Sequence, residues 1–316
     1  MLLEKKNYRE GSVIHFIDFK EDSLIFSKKI LKVPVFVQDF FIKEKEFIML
    51  NTMPRTLGEN LKSTDFLTKY DENFKIILKK DMNISKYPDG NCFIVGNNEK
   101  LFYINEGFNV NSYKDNRKLI ISEIDDSFNI INQKSITKNI SNFKYEPVLS
   151  IFIEKIGIVV ISNHSKINGD NPMYRIDMFD LELNLKWSED LTVDNVSSLG
   201  YSKLENKIYL ITKKSKSQLL LFDYLGKKSL FHFGIEHDVI SVVANDNNIF
   251  SFGKGLESHQ LVKIDFSGKV ISKKDIPVSL IPNAMNTKLY YQNNVFFLVS
   301  IDNNKNRLFV DKIHVN

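Results

Sequence analysis

Apolar residues along this chain fall into short runs of about four to eight, broken by clusters of Asn, Asp, Gly and Lys. Such runs stand at 92–95, 101–104, 119–124, 208–212, 219–222 and 295–300. They are rich in Ile, Val, Phe and Tyr, the residues that suit a pleated, half-buried surface. Apolar positions do not recur at helical spacing between capping residues, so the pattern predicts strands throughout.

One hairpin pattern recurs: an apolar strand, an Asp, a few turn residues and a second strand. It reads VIHFIDFKEDSLIF at Asp18, FLTKYDENFKIIL at Asp71 and IISEIDDSFNIIN at Asp125. It returns as RIDMFDLELNLKW at Asp180, LLLFDYLGKKSLF at Asp223 and QLVKIDFSGKVIS at Asp265. A side-chain carboxylate accepting backbone N–H groups one or two residues on explains the Asp at a turn. Gly226 and Gly268 stand where a hairpin tolerates positive φ. Between the hairpins lie six further strand pairs: 35–41 with 46–50, 91–96 with 101–104, 148–153 with 157–162, 196–201 with 207–212, 239–244 with 248–253, and 288–291 with 295–300. Four antiparallel strands repeated every 42 to 55 residues, the spacing between these Asp positions, is the signature of a propeller blade. The expected fold is therefore all-β: a six-bladed β-propeller of four-stranded antiparallel blades, one domain over residues 1–316. N- and C-terminal strands in one blade would close the ring, with 13–17, 24–29 and 308–314 competing for two places.

These repeats resemble those of six-bladed propellers in the broad TolB-like and NHL-like group. The resemblance rests on the strand–Asp–turn–strand pattern across almost the whole chain. It implies an architecture and no particular activity. The Gly-His and Trp-Asp pairs of WD40 blades are missing, and the single Trp is Trp187. Sialidase-type Asp boxes and the Trp-rich motif of quinoprotein propellers are missing too, so no quinone cofactor is implied.

Lys and Arg number 43 against 39 Asp and Glu, a net charge of +4. Spread over 316 residues, this gives no support to nucleic acid or a membrane as partner. The single cysteine, Cys92, excludes an internal disulfide, and its place in an inner strand predicts a buried thiol. Neither a signal peptide nor a span of some eighteen apolar residues is present, so a cytoplasmic monomer is expected.

Candidate chemistry gathers where loops lead into each inner strand and leave each second strand, because propeller loops converge there. The candidate ligand-binding residues are Arg55, Asp89, Glu146, His164, Asp194, His237, Asp238 and Asn283. Carboxylates from successive blades could surround a polar ligand or a divalent cation, Ca or Mg, on the central axis. Solvated turn residues are the plainer explanation of the same letters. The long polar segments 106–118 and 164–173 could carry binding. His15, His232, His259 and His314 read as peripheral. No catalytic set is recognisable. The expected function is a non-catalytic module binding a protein or small polar ligand through the axial loop face. The alternative is a lactonase-like hydrolase or lyase using a central divalent cation.

Overall fold

The computed structural model describes residues 2–5, 12–20, 23–31, 36–53, 64–82, 91–107, 117–136, 144–165, 172–203, 205–214, 216–225, 228–232, 238–245, 247–254, 258–277, 287–292, 295–302 and 307–313. Every regular element among them is a strand. An N-terminal three-stranded sheet holds β1 (Leu2–Lys5), β2 (Ser12–Lys20) and β3 (Ser23–Leu31). Five four-stranded sheets follow. The first is β4 (Phe36–Lys43), β5 (Glu46–Met53), β6 (Thr64–Tyr70) and β7 (Ile76–Asp81). The second is β8 (Cys92–Gly96), β9 (Leu101–Gly107), β10 (Lys118–Ile124) and β11 (Ile130–Ile136). The third is β12 (Glu146–Ile153), β13 (Gly157–Asn163), β14 (Tyr174–Phe179) and β15 (Leu185–Leu191). The fourth is β16 (Asn195–Ser202), β17 (Lys207–Lys214), β18 (Lys216–Asp223) and β19 (Lys228–His232). The fifth is β20 (Asp238–Ala244), β21 (Asn248–Lys254), β22 (His259–Asp265) and β23 (Val270–Ile276). A C-terminal sheet holds β24 (Thr287–Gln292), β25 (Val295–Asp302) and β26 (Arg307–Ile313). The chain forms two compact units, Met1–Asp170 with Phe179–Asn184, and Asn171–Met178 with Leu185–Asn316.

Second strands such as β9 are apolar on both faces because their sheet packs between two others. In β9, Leu101 and Tyr103 join Ile48, Leu50 and Leu67 of the preceding sheet. Phe102 and Ile104 point the other way, to Tyr145, Ile158 and Val160. Alternation therefore disappears from β9, which is buried along its whole length. It disappears in the opposite sense from β11, where all but the last residue are exposed. In the second unit, Tyr209, Ile211, Leu219 and Leu221 pack with Ile249, Val262 and Ile264. Phe250, Phe252 and Leu261 pack with Leu289, Phe296 and Leu298. Cys92 is buried in the first of these clusters, as its place in the sequence predicts.

The Asp turns have one construction. Asp71 Oδ1 accepts from the Asn73 and Lys75 N–H groups, Asp125 Oδ1 from Ser127 and Asn129, Asp180 Oδ1 from Glu182 and Asn184, and Asp265 Oδ1 from Ser267 and Lys269. Asp223 accepts from the Leu225 N–H. Asp18 departs from the set: it lies inside β2, paired with Ile25, two residues before the strand ends. Those N–H bonds favour the ionised carboxylate and hold Asp125 and Asp265 below the usual range, with side-chain bonds from Asn129 and Ser267 as the largest causes.

Four innermost strands carry a bulge near their start, at Val37/Asp39, Pro147/Leu149, Val196/Ser198 and Val239/Ser241. The bulge re-aims the next side chain. Asp39 Oδ2 thereby accepts the Ile94 N–H at 2.9 Å, and Ser241 Oγ accepts the Leu289 N–H at 3.0 Å. Both donors belong to the innermost strand of the following sheet, whose other edge has no strand partner among the described residues. Asp39→Ala leaves the Ile94 N–H unpaired and should lower the unfolding free energy by about 1–3 kcal/mol. Asp39→Asn, which keeps an acceptor oxygen, should cost less. Urea unfolding of the two variants checks the order.

Candidate functional site

Five second strands follow their apolar run with a small polar residue. Asn51, Asn105, Ser162, Thr212 and Ser300 stand opposite Val37, Cys92, Pro147, Val196 and Thr287, at matching register positions, and all five are buried. Gly253 fills the position in the fifth sheet, opposite Val239. Beyond this position the strands end in loops, and in the first unit charged groups collect there.

Glu106 follows Asn105 in β9, and its side chain is fully buried. Its Oε1 lies 3.3 Å from Nη1 of Arg117, the residue just before β10. The other carboxylate oxygen, Oε2, makes no hydrogen bond among the described residues, nor does Asn105 Oδ1. Nearby, Lys144 Nζ is 3.2 Å from Glu146 Oε2, and Asn91 Nδ2 donates to Glu146 Oε1 at 3.3 Å. Two acids and two bases make the cluster neutral overall. Burial pushes the Glu106 carboxyl up to about 7 against the pull of Arg117, and the Glu146 charge pushes the same way. The folded state thus holds a proton that the unfolded chain has released. The contribution of this group to stability is greatest below pH 4.5, the ordinary value, and is lost as pH rises through about 7, by a total on the order of 3 kcal/mol.

Of the sequence-predicted site residues, Glu146 and His164 come together. Glu146 opens β12 opposite Asn163, whose neighbour His164 is buried with its ring centroid 5.9 Å from that of Tyr145. Asp194 is exposed just before β16, in the second unit. Asp238 opens β20 opposite Lys254. Arg55, Asp89, His237 and Asn283 lie outside the described residues. His259, read as peripheral, is instead buried at the start of β22 with its ring stacked on Phe252 at 5.6 Å. Burial lowers its pKa, and the Lys254 charge adds to the effect. Among the described residues no three His, Cys, Asp or Glu side chains gather at metal-binding distance.

Sequence reasoning passed over Glu106 and Lys144. The available signal was a charged residue directly after an apolar strand run, at the root of the long 106–118 segment. Asp65 was passed over too. It accepts from Thr52 Oγ1 at 2.6 Å and from the Tyr103 hydroxyl, tying the first two four-stranded sheets together. Burial and the Asp65 charge drive the Tyr103 phenol well above its ordinary pKa.

No protein-family model matches this chain, and no curated protein sequence matches it significantly. Solved structures do match its backbone. The propeller of Dos1 superposes with a TM-score of 0.55 at 11% identity, over 89% of this chain and 84% of that one. The fold is a β-propeller. A 6-phosphogluconolactonase candidate from Bacteroides fragilis matches with a TM-score of 0.55 at 9% identity, over 99% of this chain and 94% of that one. A prolyl endopeptidase matches with a TM-score of 0.56 at 9% identity, and the propeller chain spans 46% of its length. At such identities the likeness is one of fold, so the sheets are blades and their functions are separate questions. No helix among the described residues is long and apolar enough to cross a membrane.

Proposed function

We propose that this propeller is a non-catalytic binding module that takes a polar ligand through its loop face, with Glu106 at the centre of the site. The observation behind this reading is the buried Oε2 of Glu106, left without a hydrogen bond among the described residues. An unsatisfied buried oxygen costs the fold about 1–3 kcal/mol. A ligand N–H or O–H placed on it recovers that cost, so the ligand carries a donor, as an amine, a sugar hydroxyl or an exposed protein side chain does. Arg117 and Lys144 hold the two carboxylates in place, and the roots of both long polar segments meet here.

A cationic donor binds the ionised form of Glu106. Affinity should rise as pH passes through about 7, where this carboxyl titrates, and level off above. Free amino acids, monosaccharides and linear polyamines are suitable probes in a thermal-shift screen, with affinity capture for a protein ligand. Glu106→Gln should weaken binding by about tenfold or more at pH 8 and flatten its pH dependence. Equal affinity of Glu106→Gln and the parent at every pH would sink the reading.

The same reading takes the chain as a monomeric, single-domain cytoplasmic protein of six blades in the TolB-like or NHL-like group. The C-terminal sheet β24–β26 is one strand short of the full blades, and N- and C-terminal strands closing the ring together would complete it. A lactonase-like hydrolase or lyase with a central divalent cation is the second reading, favoured by the Bacteroides fragilis neighbour. Lactone turnover dependent on Ca or Mg would replace the binding role with it.

A further inference from the structure

A second site lies in the other unit, among the innermost strands β16, β20 and β24. These strands follow one another side by side and border an open pocket of about 170 Å³. Its lining includes Ser197, Ser198, Ser241, Lys288 and Tyr290, with Val239 and Ile240 among the apolar residues. Two bulges shape it. Ser197 and Ile240 are the extra residues of β16 and β20, left out of the ladder with β17 and β21.

The side chains of this lining carry hydroxyls and one ammonium; the Ser197 hydroxyl donates to the Ile211 carbonyl at 3.3 Å, and the others are the candidates for a ligand. Ser241 Oγ accepts the Leu289 N–H at 3.0 Å, which leaves its own proton to be donated elsewhere. Tyr290 carries a neutral, donating phenol, and burial pushes its pKa further up, to about 12. Lys288 is exposed and supplies a full positive charge, and Ser198 adds a third hydroxyl. No carboxylate stands among the described lining residues. Hydroxyl donors and one cation, with no competing negative charge, make a site for an oxyanion. The volume is close to that of a cavity that holds one benzene molecule, which suits an occupant of roughly six to eight non-hydrogen atoms.

We propose that the pocket between β16, β20 and β24 binds a small carboxylate, with Lys288 pairing the charge and the Ser198, Ser241 and Tyr290 hydroxyls donating to its oxygens. The site shares no residue with the Glu106 cluster, so either proposal can fail without the other.

Isothermal titration with lactate and succinate tests it, with lactamide and succinamide as neutral counterparts and inorganic phosphate as a second oxyanion. Ligands this small should bind with a dissociation constant on the order of 1 mM. Lys288→Gln should weaken the carboxylates by about tenfold and Ser198→Ala by a few-fold, with unfolding midpoints unchanged. Lys273→Gln removes the same charge from the exposed outer strand β23 and should leave binding alone. The proposal is overturned by amides binding as well as the acids, by phosphate binding alone, by equal effects of Lys288→Gln and Lys273→Gln, or by no binding at ten times the expected constant.

Discussion

Gly157→Ala should be among the most damaging single-methyl additions in this protein, lowering the unfolding free energy by about 3–5 kcal/mol. Gly157 begins β13 with φ at 147°, a backbone state that side chains rarely accept. A Cβ built there falls 1.8 Å from the Phe179 carbonyl oxygen and 3.0 Å from the Asp180 Cα. Both atoms are backbone, so no rotamer change relieves the overlap, and the third blade must open. Gly200 provides the contrast. Its Cβ would fall 2.1 Å from the end of the Tyr209 ring, a side chain that can swing away, so Gly200→Ala should cost less. Two positions earlier in the same turn as Gly157, Lys155 holds φ at 63°. Lys155→Gly should therefore be neutral or slightly stabilising. Urea unfolding of the three variants checks the ranking, and a Gly157→Ala loss under about 1 kcal/mol contradicts it.

Phe128→Ala should cost about 3–5 kcal/mol, an unusual sum for a turn residue. Phe128 is the fourth residue of the Asp125 turn and has φ at 60°, which costs a side-chain-bearing residue about 1–2 kcal/mol. It is nonetheless 1% exposed and packs with Ile48, Leu50 and Leu67 of the preceding blade. Burying an aromatic ring gains about 1.5–3 kcal/mol, enough to offset the strain. Leu183 repeats the arrangement in the Asp180 turn, buried with φ at 64°. In the Asp265 turn the work is divided: Gly268 takes φ at 86°, and Phe266 two residues earlier is buried. If strain and burial oppose each other in this way, Phe128→Gly should be about 1 kcal/mol more stable than Phe128→Ala, because glycine removes the strain as well as the ring. The reverse order, the ordinary one for an exposed loop, would show that the turn is unstrained.

The strands and most of the Asp turns could be read from the letters alone. Apolar runs and the carboxylate two residues before its N–H partner act within four or five residues, so the signal that forms them is local. Asp71, Asp125, Asp180, Asp223 and Asp265 are the instances. Asp18 has the same local letters but sits inside β2, because strand pairing runs through it to Lys20. Of the loop-face candidates, Glu146 and His164 were legible as polar residues at strand ends. Glu106 was not singled out, since its burial depends on the loop end that Arg117, Lys144 and Glu146 share with it. The buried stack of His259 on Phe252 has the same character: the rings meet on the diagonal between β21 and β22, where His259 pairs with Lys254 and Phe252 with Leu261, and the stretch around His259 alone looks like a polar strand end. The pocket of β16, β20 and β24 joins residues some forty to ninety positions apart. Local sequence determines which residues make strands and turns, because backbone hydrogen bonding and pleat alternation are short-range. Which polar groups end up out of water, and which donors converge on one space, is decided only when the blades pack face to face.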